Sequence, residues 1–201
     1  MALTIPKANN YALAPAGTHN FVCYQVLDLG TQVNQTYNNK SRQIALFFEL
    51  IGTDVGDGRP FTMTRKFSYT WGAKSSLKAF LTSWLPQEKF DDSWSLDKLI
   101  GQVGMLLVTH DKSQDGSKTY ANLKSVMPLP AGMKLDFKMS NMPRSLFLDD
   151  SFKIEQFNEL PEYWQKIIGD SPEFDIAYKK QIHGDRKPES KEGVEGDQIP
   201  F

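Results

Sequence analysis

Residues 43–50 alternate in polarity, with Ile44, Leu46, Phe48 and Leu50 facing one way and Gln43, Ala45, Phe47 and Glu49 the other. That period of two is a strand pattern. The stretch "FTMTRKFSYTW" repeats it, with Phe61, Met63, Arg65, Phe67, Tyr69 and Trp71 against Thr62, Thr64, Lys66, Ser68 and Thr70. Upstream, "GTHNFVCYQVLDLG" mixes apolar, β-branched and polar residues over a length that predicts one long strand, ended or bulged at Gly30. The Asn-rich "TQVNQTYNNKS" and the Gly/Asp/Pro cluster "GTDVGDGRP" predict the two connections. The period then changes. In "KSSLKAFLTSWLP", Leu77, Phe80, Leu81 and Trp84 fall at i, i+3, i+4 and i+7, an amphipathic helix stopped by Pro86. A short helical turn is expected at Ser95 to Ile100, and "QVGMLLVTH" and "TYANLKSVMPL" give two closing strands around the polar loop "DKSQDGSK".

Three strands, a helix and two strands in this order match the OB-fold, a five-stranded, partly open barrel. The expected fold is therefore mainly β, an OB-type barrel with its helix between strands three and four. Proline and glycine in "MPLPAGMKLDFKMSNMP" predict a linker or a segment wrapping the barrel. Two helical pieces follow. "LPEYWQKIIG" carries Leu160, Trp164, Ile167 and Ile168 on one stripe, with Pro161 and Glu162 at its start and Gly169 after its end. "SPEFDIAYKKQI" has Ser171 as cap, Pro172 at the first helical position, and Phe174, Tyr178 and Ile182 as its stripe. These stripes need a surface, either the barrel or a second subunit of a homo-oligomer. From Gly184 onward the chain is charged and poor in large apolar residues, which predicts disorder. The expected organisation is a lead-in over 1–16, a barrel over 17–130, a linker and helical extension over 131–183, and an acidic tail over 184–201.

Composition narrows the classes. The chain has 201 residues, 40% hydrophobic and 23% charged, enough for a core. No run of about eighteen apolar residues is present, so no membrane span is expected. The N-terminal stretch lacks the basic start and long apolar run of a signal peptide, and Cys23 is the single cysteine, so a cytoplasmic setting without disulfides is expected. The net charge of -1 conceals an asymmetry. Residues 1–143 carry 15 Lys and Arg against 11 Asp and Glu, whereas residues 144–201 carry 8 against 13. A basic body with an acidic end is compatible with a polyanionic ligand.

The closing residues resemble the end of bacterial and phage single-stranded-DNA-binding proteins, where an acidic tail finishes in Ile-Pro-Phe; the matching positions are Asp197, Ile199, Pro200 and Phe201. "GTHNFVCYQVLDLGTQ", "GRPFTMTRKFSYTW", "KTYANLKSVMPLP" and "FNELPEYWQKIIGDSPEF" also resemble a group of tailed-phage proteins of that kind. The acidic run is diluted to Glu192, Glu195 and Asp197, with Gln198 before Ile199, and the helical extension has no counterpart in the common bacterial protein. The resemblance implies a protein that coats and protects single strands during phage DNA replication or recombination in the host cytoplasm. Its tail would recruit replication or recombination partners. Physically, a terminal ring can fill an apolar pocket while its carboxylate takes a bidentate Arg, and Pro200 lowers the entropy lost on docking.

Sequence-independent binding of single strands needs cations for phosphates and flat rings for bases. An OB-fold carries these on strands two and three and on the loops between strands 1–2 and 4–5. The candidates are Tyr37 and Lys40 in the first loop, Arg42 and Phe47 on the second strand, and Arg65, Lys66, Tyr69 and Trp71 on the third. Lys112 and Lys118 flank the last loop, and Tyr120 and Lys124 sit on the fifth strand. Phe67 and Tyr69 share a face with Phe61 and Met63, so core packing competes there, and Arg65 on that face suggests a bulge exchanging the two faces. Tyr37 and Phe47 are needed by no apolar stripe and are the favoured stacking rings. No enzyme signature is present, and no cofactor or metal is expected. His19 and Cys23 lie four apart without further ligands at zinc spacing, Asp91-Asp92 and Asp149-Asp150 read as solvated turns, and Gly56 to Gly58 form a tight turn without a phosphate-loop pattern. The alternative is an OB-like protein-interaction module assembling through its helices.

Overall fold

The computed structural model describes residues 12–34, 39–91 and 93–183. The chain is mainly β. Strands β1 (Gly17–Asn34), β2 (Asn39–Asp54), β3 (Pro60–Ser68), β4 (Val103–Lys112) and β5 (Thr119–Met127) form an antiparallel path in the order β3-β2-β1-β4-β5. A short β6 (Arg144–Leu146) pairs in parallel with Gln25 to Leu27 of β1. The first hairpin runs further than its polarity suggests: Thr31 to Asn34 pair with Asn39 to Arg42. Gly30 does not end the strand. A register shift lies between Asp28 and Gly30, and Gly30 takes φ +66, which glycine adopts without steric cost.

Helix α1 (Ser76–Trp84) begins where the Ser75 hydroxyl accepts the Lys78 amide, and a single 3-10 turn follows at Leu96–Leu99. α1 packs across β3 and β5 and buries Leu77, Phe80, Leu81 and Trp84, the stripe read from the sequence. The main core lies between that helix and the inward rows: Phe21, Cys23 and Val26 of β1, Ile44, Leu46, Phe48 and Leu50 of β2, and Phe61, Met63 and Phe67 of β3. Trp84 donates its indole N–H to the Val103 carbonyl at 2.9 Å. A Cβ on the next residue, Gly104, would meet that indole and the Phe21 ring, so the position needs glycine.

A second core occupies the opposite face. Leu27, Leu29, Ala45 and Phe47 point away from the first core and are covered by Leu146, Leu148, Phe152, Leu160, Ile168 and Ala177. Leu146 comes from β6, Ile168 from helix α3 (Glu162–Gly169) and Ala177 from α4 (Pro172–His183), while Leu148, Phe152 and Leu160 lie in the connecting segments on either side of the short helix α2 (Ile154–Asn158). The extension thus rests on the sheet of its own chain, and residues 44–50 of β2 are buried on both faces. α3 uses its expected stripe. α4 buries Ala177 and half-buries Phe174 and Tyr178, but Ile182 at its end is exposed, a correction to the expected stripe. Its start is capped by Ser171, whose hydroxyl accepts the Phe174 amide.

Two buried carboxylates tie these layers. Asp28 accepts hydrogen bonds from the Gly30 and Leu148 amides and from the Arg42 guanidinium, joining β1, β2 and the extension. Glu49 accepts the Ser140 and Asn141 amides and the Asn141 side chain at 2.6–3.1 Å, which fastens the irregular segment after β5 to β2. At the far side, Glu173 accepts the Thr31 amide at 2.8 Å and the Thr31 hydroxyl at 2.5 Å, holding α4 to β1. No helix among the described residues is long and apolar enough to cross a membrane.

Candidate nucleic-acid interface

The expected interface residues separate into distinct places. Phe47 is corrected: it is 5% exposed, with Trp164 edge-on at 5.0 Å and Tyr24 at 6.0 Å. Its ring serves the second core and has no face free for a base. Arg65 is corrected in its surroundings. β2 and β3 stay in register from Gln43/Ser68 to Glu49/Thr62, so no bulge exchanges the faces there. Arg65 instead lies on the inward row at the open seam. Its guanidinium sits 5.2 Å and 5.4 Å from the Phe67 and Phe80 ring centres and donates to the Leu123 carbonyl of β5 at 3.2 Å. Its charge is accommodated by the rings and the carbonyl, and it ties β3 to β5.

Lys66 and Lys124 are exposed, as are Lys112 and Lys118 around the β4–β5 turn. Tyr120 of β5 is 48% exposed. Alternation puts Lys66 with Thr62 and Thr64 on the outward row of β3, and Lys124 with Tyr120 and Asn122 on the outward row of β5. These two strands meet at the seam that Arg65 bridges. The turn also carries acid. Hydrogen bonds from Ser113 and Ser117 hold the Asp115 carboxyl down at about 2, so it is a fixed negative charge between Lys112 and Lys118.

Arg42, Tyr69 and Trp71 gather elsewhere, at the α1 end of the sheet. Arg42 is half-buried and salt-bridged to Asp28, and its guanidinium lies 6.0 Å from the Tyr69 ring centre. Tyr69 and Trp71 lie just past β3 and are 52% and 40% exposed. With Phe90 and Trp94, which the sequence reading passed over, they line a cleft of about 320 Å3. Trp71 meets Phe90 at 5.4 Å, Phe90 meets Trp94 at 4.8 Å, and the Lys78 amine lies 5.9 Å from the Trp71 ring centre. A second cleft of about 320 Å3 adjoins it across Tyr69 and Trp94, walled by Asp28, Arg42 and Asp149. Lys40 is exposed near the start of β2. Tyr37 and the tail residues Asp197, Ile199, Pro200 and Phe201 lie outside the described residues.

One ring near the β3 row escaped the sequence reading. Tyr163 of α3 is 61% exposed, and its hydroxyl accepts a hydrogen bond from the Lys66 amine at 3.1 Å. The stripe of Leu160, Trp164, Ile167 and Ile168 leaves Tyr163 off the buried face, which is the signal that could have found it. Cys23 is fully buried, and burial pushes its thiol up to about 12, far from a reactive thiolate. Among the described residues no three His, Cys, Asp or Glu side chains converge as a metal-ligating group. The sequence matches no protein-family model and no curated protein.

Proposed function

We propose that the chain binds single-stranded DNA across the outward rows of β3 and β5, coating and protecting exposed strands in replication or recombination, and that its body is an OB-type barrel. The observation that carries this reading is two exposed lysines and an exposed ring on two strands that meet at one seam: Lys66 on β3, then Lys124 and Tyr120 on β5. The sheet path supports the barrel. In the order β3-β2-β1-β4-β5 the two outer strands face each other only if the sheet curls, and Arg65 reaches across that gap to Leu123. α1, between β3 and β4 in the chain, packs on both seam strands.

Such a face suits binding without sequence preference: amines follow phosphates, and each stacked base contributes about 1–3 kcal/mol. The Ile199-Pro200-Phe201 end would act as a detachable handle for partner proteins, in keeping with the resemblance at the terminus. The test is a salt-series titration with poly-dT, poly-rU and duplex DNA. Single strands should bind more tightly than duplex, and affinity should fall as salt rises. Indifference to both strandedness and salt overturns the reading. Deleting Ile199 to Phe201 should leave DNA affinity intact and remove partner capture. A second reading, a protein-interaction module, draws on the aromatic cleft of Tyr69, Trp71, Phe90 and Trp94, whose walls include Asp91 and, next door, Asp149. Absent nucleic-acid binding with retained partner capture would favour it.

A further inference from the structure

We propose that Tyr163 is a base-stacking station that the C-terminal extension adds to the single-strand path beside Lys66. The inference rests on the single-strand reading above and extends it to an element outside the barrel. The outward row of β2 offers no ring, because Ala45, Phe47 and Glu49 are all buried under the extension or the segment before it. The extension that seals Phe47 sets out another ring in its place. Trp164 packs inward on Phe47, and Tyr163, the residue before it, projects outward with 61% of its surface exposed.

The ring is held in position. It meets Trp164 edge-on at 4.9 Å with an interplanar angle of 77°, and its hydroxyl is bound by Lys66. A tyrosine fixed in this way presents a wide flat face with little further entropy to lose. The Lys66 amine lies 5.3 Å from the Tyr163 ring centre and 5.2 Å from that of Trp164, so a cation stands at the edge of the stacking platform. A base laid on Tyr163 would bring its phosphate within reach of Lys66. From Lys66 the outward row of β3 leads to the seam and on to Lys124 and Tyr120, a path within the roughly 4–16 nucleotides that one OB barrel covers.

The test uses the full chain and labelled oligo-dT in anisotropy titrations at several salt concentrations. Tyr163→Ala should weaken binding about 5- to 150-fold, the equivalent of one lost stack, with the salt slope unchanged. Tyr163→Phe, which keeps the ring, should stay within about twofold. Lys66→Ala should instead flatten the slope by about 0.7, the share of one phosphate on a single strand. If the wild-type chain does not bind, the single-strand reading itself is lost. If it binds and Tyr163→Ala binds equally well, only the station is lost. A measurement without substitution stands beside these: ultraviolet crosslinking of iodouracil-substituted oligonucleotide to the wild-type chain, mapped by mass spectrometry, should mark Tyr163. Crosslinks confined to other residues overturn the station.

Discussion

Phe47→Ala removes a ring that is 5% exposed and wedged between the β2 row and Trp164 of α3. Truncating a buried Phe costs about 3–5 kcal/mol, from lost transfer energy and the cavity left behind. Two edge-on partners, Trp164 at 5.0 Å and Tyr24 at 6.0 Å, account for part of that sum at about 0.5–1.5 kcal/mol each. The cavity opens between a strand and a short helix, and α3 can settle partway into it, so the lower half of the range is expected, about 3–4 kcal/mol. For a chain of this length that is roughly a 10 °C drop in Tm, at about 2–4 °C per kcal/mol. Urea denaturation followed by tryptophan fluorescence and circular dichroism measures it, and Phe47→Leu should recover most of the loss. A cost below about 1 kcal/mol would mean that the extension does not seat on β2. The same variants probe the interface: Phe47→Leu should bind oligo-dT as the parent does, and a large loss of affinity in a stably folded variant would return Phe47 to the ligand face.

Other substitutions test the ties between layers. Gly30→Ala places a Cβ on a residue at φ +66 and into the Ser171 side chain, so it should cost about 2–4 kcal/mol and raise amide exchange in α4. Burial works against ionisation of Glu173, but the hydrogen bonds from Thr31 outweigh it and hold the carboxyl below its usual value. Its contribution is therefore present above the ordinary glutamate range, near pH 4.3, and fades as pH falls through the lower folded value. Glu173→Gln should be less stable than the parent at pH 7, and the gap should close in acid; a gap that widens in acid refutes the assignment. Arg65→Ala removes the donor to Leu123 and the cation over Phe67 and Phe80, so stability should fall by about 1–3 kcal/mol, with faster amide exchange along β5.

The sheet strands and the first helix were legible because each has a period: two for the strands around Ile44 and Phe61, and i, i+3, i+4, i+7 for the helix ending at Trp84. β6 and α2 were not, since three and five residues are too few to show one. The Phe47 error has a physical source. Alternation correctly placed Phe47 opposite the main core, and a ring facing away from one core was assigned to a ligand. Yet the helix carrying Leu160, Trp164, Ile167 and Ile168 needed a surface, and the outward apolar row of Leu27, Leu29, Ala45 and Phe47 needed a cover. Each was the other's partner. Asp28 and Glu49 escaped notice for a different reason: the donors by which they hold the C-terminal segments lie 120 and 92 residues away, at Leu148 and Asn141, where no local pattern points back.

That second core decides where a ligand can lie. Val26 and Leu27 are neighbours in β1, both with 0% exposure, one facing α1's core and the other facing the extension. The strand has no free face there, and β2 has none from Ile44 to Leu50. Lifting the extension to admit a strand of nucleic acid would expose Leu27, Leu29, Ala45 and Phe47 together, at about 1.5–3 kcal/mol for each large side chain. A single stacked base returns about 1–3 kcal/mol, so displacement of the extension is the costlier route. On the single-strand reading a ligand would therefore do better on the rows left open, on β3 and β5, where Lys66 and Lys124 are exposed. On the proposed single-strand reading such a path would pass Tyr163 at the border of the extension, and α3 would then form the edge of that interface while its own stripe stays packed on the sheet.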